Sequence, residues 1–92
     1  MKTNSDIQKI ISIFNKNRIK ILLALFKCRE KICGCDLVER IGIPKNLLSY
    51  HISFLKKNGL IEEKSYGQKK NYQLSVKGTA FVEEIFKIQK VI

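Results

Sequence analysis

The side chains of widest chemical range in this chain are three cysteines and one histidine. Cys33 and Cys35 flank Gly34 in "KICGCDLVERIG", residues 31–42, and Cys28 lies a short step upstream. Two thiols at a helix start sit where the helix dipole lowers thiol pKa, which suits redox chemistry. Thiolates also bind soft metals and metalloids, although two of them do not complete a tetrahedral site. Three small side chains can equally pack as hydrophobes. Cys33, Cys35 and Cys28 therefore stand as candidate metal ligands, as a redox group, or as structural residues. The odd cysteine count, in a chain expected in a reducing compartment, argues against a disulfide framework. His51, the single histidine, lacks the companions a metal site needs.

No Ser/His/acid set, carboxylate pair or phosphate-binding glycine loop emerges, so the chain is not read as an enzyme. Its charge points elsewhere. The net charge is +10 and the pI about 9.7, which favours a polyanionic partner: DNA, RNA or an anionic membrane surface. No apolar run approaches the roughly 20 residues that span a bilayer. The start, "MKTNSDIQ", lacks the apolar centre of a signal peptide. A soluble cytoplasmic protein is the expectation, with no membrane partner.

The chain has 92 residues, enough for one domain over 1–92. A monomer of this size buries only about 60–65% of its unfolded surface, so a second copy would help considerably. "SDIQKIISIF" places Ile7, Ile10, Ile11 and Phe14 at helical spacing, which predicts a terminal helix over about 5–14. Asn15 to Asn17 mark a break. "NRIKILLALFKC" repeats the pattern with Ile19, Leu22, Leu23 and Phe26. Ile32 suggests a short strand.

"DLVERI" opens with Asp36 and carries Glu39 three residues on, the spacing of a capping box. Gly42 ends that short helix, and Pro44 opens the approach to the next. "KNLLSYHISFLKKNG" puts Leu48, Ile52 and Leu55 on one face, and Asn58-Gly59 stops it. Two helices joined by a tight turn, over about 36–58, form a helix-turn-helix layout. "LIEEKSYGQKKNYQL" then reads as a hairpin wing over about 60–75. A last helix over about 76–90, capped by Ser75, carries Phe81, Val82, Ile85, Phe86 and Ile88. The fold class is mainly α with a small β-hairpin: a winged helix-turn-helix with an extra helix at each end. The apolar stripes of the end helices exceed what a three-helix core covers. Ile7, Ile10, Ile11, Phe14, Phe81, Val82, Ile85, Phe86 and Ile88 are the expected interface of a two-fold homodimer; the other reading is that the end helices wrap their own monomer.

From "NRIKILLALF" through "ICGCDLVERIGIPKNLLSYHISFLKKNGLIEEKSYGQKKNYQL" the chain resembles the ArsR family of winged-helix transcriptional repressors. Its most specific portion, "LLSYHISFLKKNGLI", looks like the family's recognition helix running into the wing. The resemblance implies a duplex-DNA-binding regulator, a repressor, acting as a homodimer. It also implies that Cys33, Cys35, Asp36 and Leu37 match a Cys-x-Cys-Asp-Leu motif that binds soft metals or arsenite in metalloregulators. Two departures stand beside that match. Val38 occupies a position that is a thiol in trivalent arsenic sensors, and the final helix has no histidine. No cofactor is required; a thiolate-bound metal or metalloid is the one such group the motif implies.

In a helix-turn-helix the second helix lies in the major groove and its N-terminal residues meet base edges. That brings forward Lys45, Asn46, Ser49 and Tyr50. Asn46 can pair bidentately with adenine, and Lys45 can reach guanine or phosphate. The resemblance places His51 on the DNA-facing side or its edge; a structural hydrogen bond is the other expectation for it. Lys56 and Lys57, at the helix end, and Lys64, Tyr66, Gln68, Lys69 and Lys70, on the wing, are expected on the phosphate backbone. A winged-helix module binding protein or RNA is the competing class. A protein-binding one would carry an apolar or acidic recognition face, unlike the Lys, Asn, Ser and His here.

Overall fold

The computed structural model describes residues 8, 11–28 and 31–91, with the side chains of all but 66 and 89–91. Ile7 and Ile10 of the expected terminal helix lie outside these residues; residues 11–13 are helical. The break at Asn15 is built by its side chain. Its Oδ1 accepts from the backbone N–H of Asn17 at 2.9 Å and of Arg18 at 3.3 Å. This is N-capping, which satisfies donors that the first helical turn leaves open. Helix α1 (Lys16–Cys28) follows. It buries Arg18, Ile21, Leu22 and Leu25, one stripe at helical spacing.

Strand β1 (Ile32–Cys33) leads directly into helix α2 (Gly34–Ile41). Here the expected helix start is corrected. Asp36 does not cap; it lies inside the first turn, and Cys33 is the N-cap residue. The reason is the strand. Cys33 is extended, with φ −64° and ψ 144°, because β1 pairs with the wing, so its Sγ is the side-chain acceptor at the helix start. Gly42 closes α2 with φ 76°, its N–H donating to the carbonyl of Val38. A side chain with a Cβ resists that left-handed geometry. Helix α3 (Lys45–Lys57) starts after Pro44 and stops at Asn58.

Strands β2 (Ile61–Tyr66) and β3 (Lys69–Leu74) form the hairpin, and β1 extends it to a three-stranded antiparallel sheet in the order β1-β3-β2. Ile61 faces Leu74 at the base, and Tyr66 faces Lys69 at the tip. Ile32 pairs with Tyr72 and Cys33 with Asn71. Helix α4 (Val76–Val91) is capped by Ser75, whose Oγ accepts from the Gly78 N–H at 2.9 Å. The same hydroxyl donates to the Gly59 carbonyl, and Ser75 N–H donates to the Leu60 carbonyl. Residue 75 thus ties the start of α4 to the end of α3.

The core is a single cluster: Ile21, Leu22 and Leu25 of α1, Leu37 of α2, Leu48, Ile52 and Leu55 of α3, Leu60, Ile61 and Tyr72 of the wing base, and Val82 of α4 among them. Val82 is 0% exposed. Its expected place in a dimer interface is therefore corrected: it faces inward and belongs to the protomer's own core. Phe86 is half-buried, its ring 5.4 Å from that of Phe26, and Phe81 packs 5.7 Å from Phe14. Phe14, ahead of α1, and Phe26, near the end of α1, thus both lie against α4. Ile11, Phe14 and Ile88 keep much of their surface exposed.

Candidate nucleic-acid interface

The core contacts of α3 decide what it presents outward. Leu48, His51, Ile52 and Leu55 are buried. That leaves Lys45, Asn46, Ser49, Tyr50, Lys56 and Lys57 exposed, together with Leu47 and Ser53. The first three of the expected base-reading residues and Tyr50 thus share the outward side of one helix. The wing supplies the exposed Lys64, Gln68, Lys69 and Lys70. Gly67, with φ 61°, makes the turn at its tip. The side chain of Tyr66 lies outside those described.

The basic surface is not uniform. Lys56 Nζ lies 2.7 Å from Glu63 Oε1, an ion pair between the end of α3 and the wing. Glu63 also accepts from Ser65 Oγ. The hydrogen bond from Lys56, then that from Ser65, holds the Glu63 carboxyl below its ordinary pKa, against some opposing burial. Glu62 accepts from Gln73 Nε2 at 3.1 Å. Of the lysines expected on phosphates, Lys56 is thus already partnered.

His51 is corrected. Its side chain is 4% exposed, and its Nδ1 accepts from Arg18 Nε at 3.0 Å. It holds α3 against α1, the structural hydrogen bond expected as its other role, and its burial argues against a base contact. Burial, then the charge of Arg18, pushes its pKa below the ordinary 6.5. Arg18, 7% exposed, was missed as a site residue. Its Nη1 donates to the Ser12 carbonyl at 2.6 Å. Its guanidinium lies 3.6 Å from the Phe54 ring centroid and 5.6 Å from that of Tyr50. One side chain therefore joins the N-terminal segment, α1 and the recognition helix. The signal was present: Arg18 falls on the stripe of Ile21, Leu22 and Leu25, where a charge must find partners.

The thiols do not gather as a complete ligand set. Cys33 Sγ accepts from the Cys35 N–H at 3.4 Å, and Cys35 is exposed. Cys28 Sγ instead accepts from Arg40 Nη1 at 3.0 Å. Among the described residues no group of three or more His, Cys, Asp or Glu is placed to hold a metal ion. Cys28 is therefore not brought together with Cys33 and Cys35 as a three-ligand set among the described residues. The pair is chemically unequal. The Cys35 side chain and then its backbone N–H, both hydrogen-bonded to Cys33, push the Cys33 thiol below its ordinary pKa. The bond to Cys33 and partial desolvation push Cys35 up.

Residues 15–63 match the model of the bacterial regulatory protein arsR family. An arsenical resistance operon repressor of Staphylococcus aureus is 38% identical over 74 residues, covering 80% of this chain and 67% of that protein. Its counterpart in Staphylococcus xylosus is 36% identical over the same coverage. This chain spans 60% of the length of a Halobacterium salinarum relative named for the same operon, at 24% identity. Among solved structures, HlyU of Vibrio cholerae superposes with a TM-score of 0.77 at 24% identity, covering 96% of this chain and 97% of that one. The homodimeric winged helix-turn-helix DNA-binding domain of Mycobacterium bovis Mb0332 gives 0.72 at 16% identity, covering 95% of this chain and 82% of that one. At these identities the structural likenesses speak for the fold.

Proposed function

Because this chain belongs to the arsR family of bacterial regulatory proteins, we propose that it is a sequence-specific duplex-DNA-binding transcriptional repressor, acting as a cytoplasmic homodimer. The observation that carries this reading is the outward face of α3. Lys45, Asn46, Ser49 and Tyr50 stand exposed on it, while the opposite face is locked in the core. Asn and Lys at the start of such a helix are the side chains that read adenine and guanine edges. The exposed Lys57, Lys64, Lys69 and Lys70 extend the positive surface along the helix end and wing. They suit phosphates, which fix register without reading sequence.

The homodimer is supported by the exposed apolar side chains of Ile11 and Phe14, ahead of α1, and of Ile88 on α4. Phe81, Ile85 and Phe86, half-buried on α4, adjoin them. Two copies would present two α3 helices to half-sites about one helical turn apart. Regulation through Cys33 and Cys35 belongs to the same proposal. They lie at the start of the first helix of the motif, Cys33 as its cap and Cys35 in its first turn, and offer two soft donors, so a metalloid or metal there needs further donors from a second copy. Loss of operator binding on adding arsenite, zinc or cadmium, abolished in Cys33→Ser, supports that part; unchanged binding removes it.

Selection of bound duplex from a random pool, followed by titration at several salt concentrations, tests the central reading. A defined motif and a steep salt dependence are expected. No duplex affinity at low salt, or preference for RNA in competition, rejects it.

A further inference from the structure

Leu47 is the anomaly of the recognition helix. The other aliphatic residues of α3, Leu48, Ile52 and Leu55, are buried in the core. Leu47 is 38% exposed, and Tyr50, one turn on, is 62% exposed. Residues three apart on a helix are neighbours on its surface. Leu47 and Tyr50 therefore form a small apolar patch on the outward face, with Asn46 beside it and Lys45 at its start. Resting on the duplex-binding reading above, we infer that Leu47 and Tyr50 read thymine 5-methyl groups, so that the half-site presents A·T pairs beneath the first turns of α3.

The chemistry selects this occupant. The thymine methyl is the apolar feature of the major-groove edges, and apolar side chains contact it there. Asn46 is matched to adenine, the base paired with that thymine. Lys45 adjoins the patch at the helix start, Lys57 stands at the far end of the same helix, and Lys64, Lys69 and Lys70 stand on the wing, all exposed. Such lysines suit a groove walled by phosphates. An apolar protein partner would have to desolvate those charges. The position also explains why a leucine is tolerated in water: its neighbour Leu48 anchors the helix, so Leu47 need not pack.

The test uses the full chain and its selected duplex. Single thymines are replaced by deoxyuridine, which removes the methyl and leaves pairing intact. The expected loss is about fourfold for each contacted methyl, the free energy of burying one methylene written as a ratio. Leu47→Ala, at a site over a third exposed, should fold normally by thermal melting. It should bind thymine and uracil duplexes equally at the contacted position. Wild-type protein that binds its duplex tightly but ignores uracil at every position overturns the inference while leaving duplex binding intact. So does a Leu47→Ala variant altered only in self-association, which assigns the patch to a second copy. Absence of any duplex binding overturns the underlying reading instead.

Discussion

Arg18 Nε donates to His51 Nδ1 across 3.0 Å, and both side chains are buried. The bond clamps the recognition helix to α1 from within. Because Arg18 also holds the Ser12 carbonyl and stacks on Phe54, the position of α3 is coupled to the N-terminal segment, which the proposed dimer would contact.

Arg18→Ala leaves two acceptors without their donor and strips the face of Phe54. Lost buried hydrogen bonds and a desolvated cation–π contact together give an expected cost of about 2–4 kcal/mol. Arg18→Lys should recover little, because an ammonium has neither the planar stack nor the forked donors. Urea denaturation of the three proteins measures both; near-wild-type stability of the lysine variant contradicts the stacking argument.

The same pair predicts a pH dependence. The folded-state pKa of His51 lies below its unfolded value of 6.5, because burial and the facing Arg18 charge disfavour imidazolium. The unfolded chain then binds the proton more readily. Stability from this group is fully present above 6.5 and is lost as pH falls through the folded pKa. His51→Asn keeps an acceptor but cannot titrate. Its denaturation midpoint should fall less than that of wild type over the acidic side of this window.

Lysines differ in their expected share of DNA binding. Lys57, Lys69 and Lys70 are exposed, whereas Lys56 is engaged by Glu63. Removing a lysine that contacts a phosphate lowers the salt slope by about 0.9 per protomer, so by roughly 1.8 for the dimer. Lys69→Ala and Lys70→Ala should show that drop, and Lys56→Ala a smaller one. Glu63→Gln, which frees Lys56, should raise affinity at low salt. Equal slopes in all four variants would count against the wing's part in binding.

Gly78 reverses a usual rule. Alanine in place of a helical glycine ordinarily stabilises, by up to about 1 kcal/mol in a helix interior. Here an added Cβ would fall 1.9 Å from the Leu60 carbonyl oxygen, inside van der Waals contact with backbone. Gly78→Ala should therefore destabilise by about 1–3 kcal/mol, as overpacking does. A higher melting temperature would show that α4 can move off the wing base at little cost.

The thiols should react unequally. Cys33 is held below its ordinary pKa and Cys35 above, so Cys33 ionises the more readily of the two. Brief alkylation with iodoacetamide, read by peptide mass, should label Cys33 before Cys35. Cys33→Ser should retain helix α2, since a hydroxyl can accept the same N–H.

Apolar spacing and turn residues in the sequence determined the order of elements. The stripe Leu48, Ile52, Leu55 specified which side of α3 is inward, and so which residues face out. Asn15, Gly42, Asn58-Gly59, Gly67 and Ser75 set its breaks, because each conformation or cap is a local property of one or two residues. What tertiary structure alone decided concerns partners far apart in sequence. Val82 looked like interface because its helix is apolar on more than one side, and periodicity does not say which neighbour covers each side. His51 looked outward beside Tyr50 until Arg18, 33 residues away, supplied its donor. Cys33 became a helix cap because β3 holds β1 extended at that point. A sequence carries the demand that a buried charge or helix end be satisfied; only the packed chain determines which group meets it.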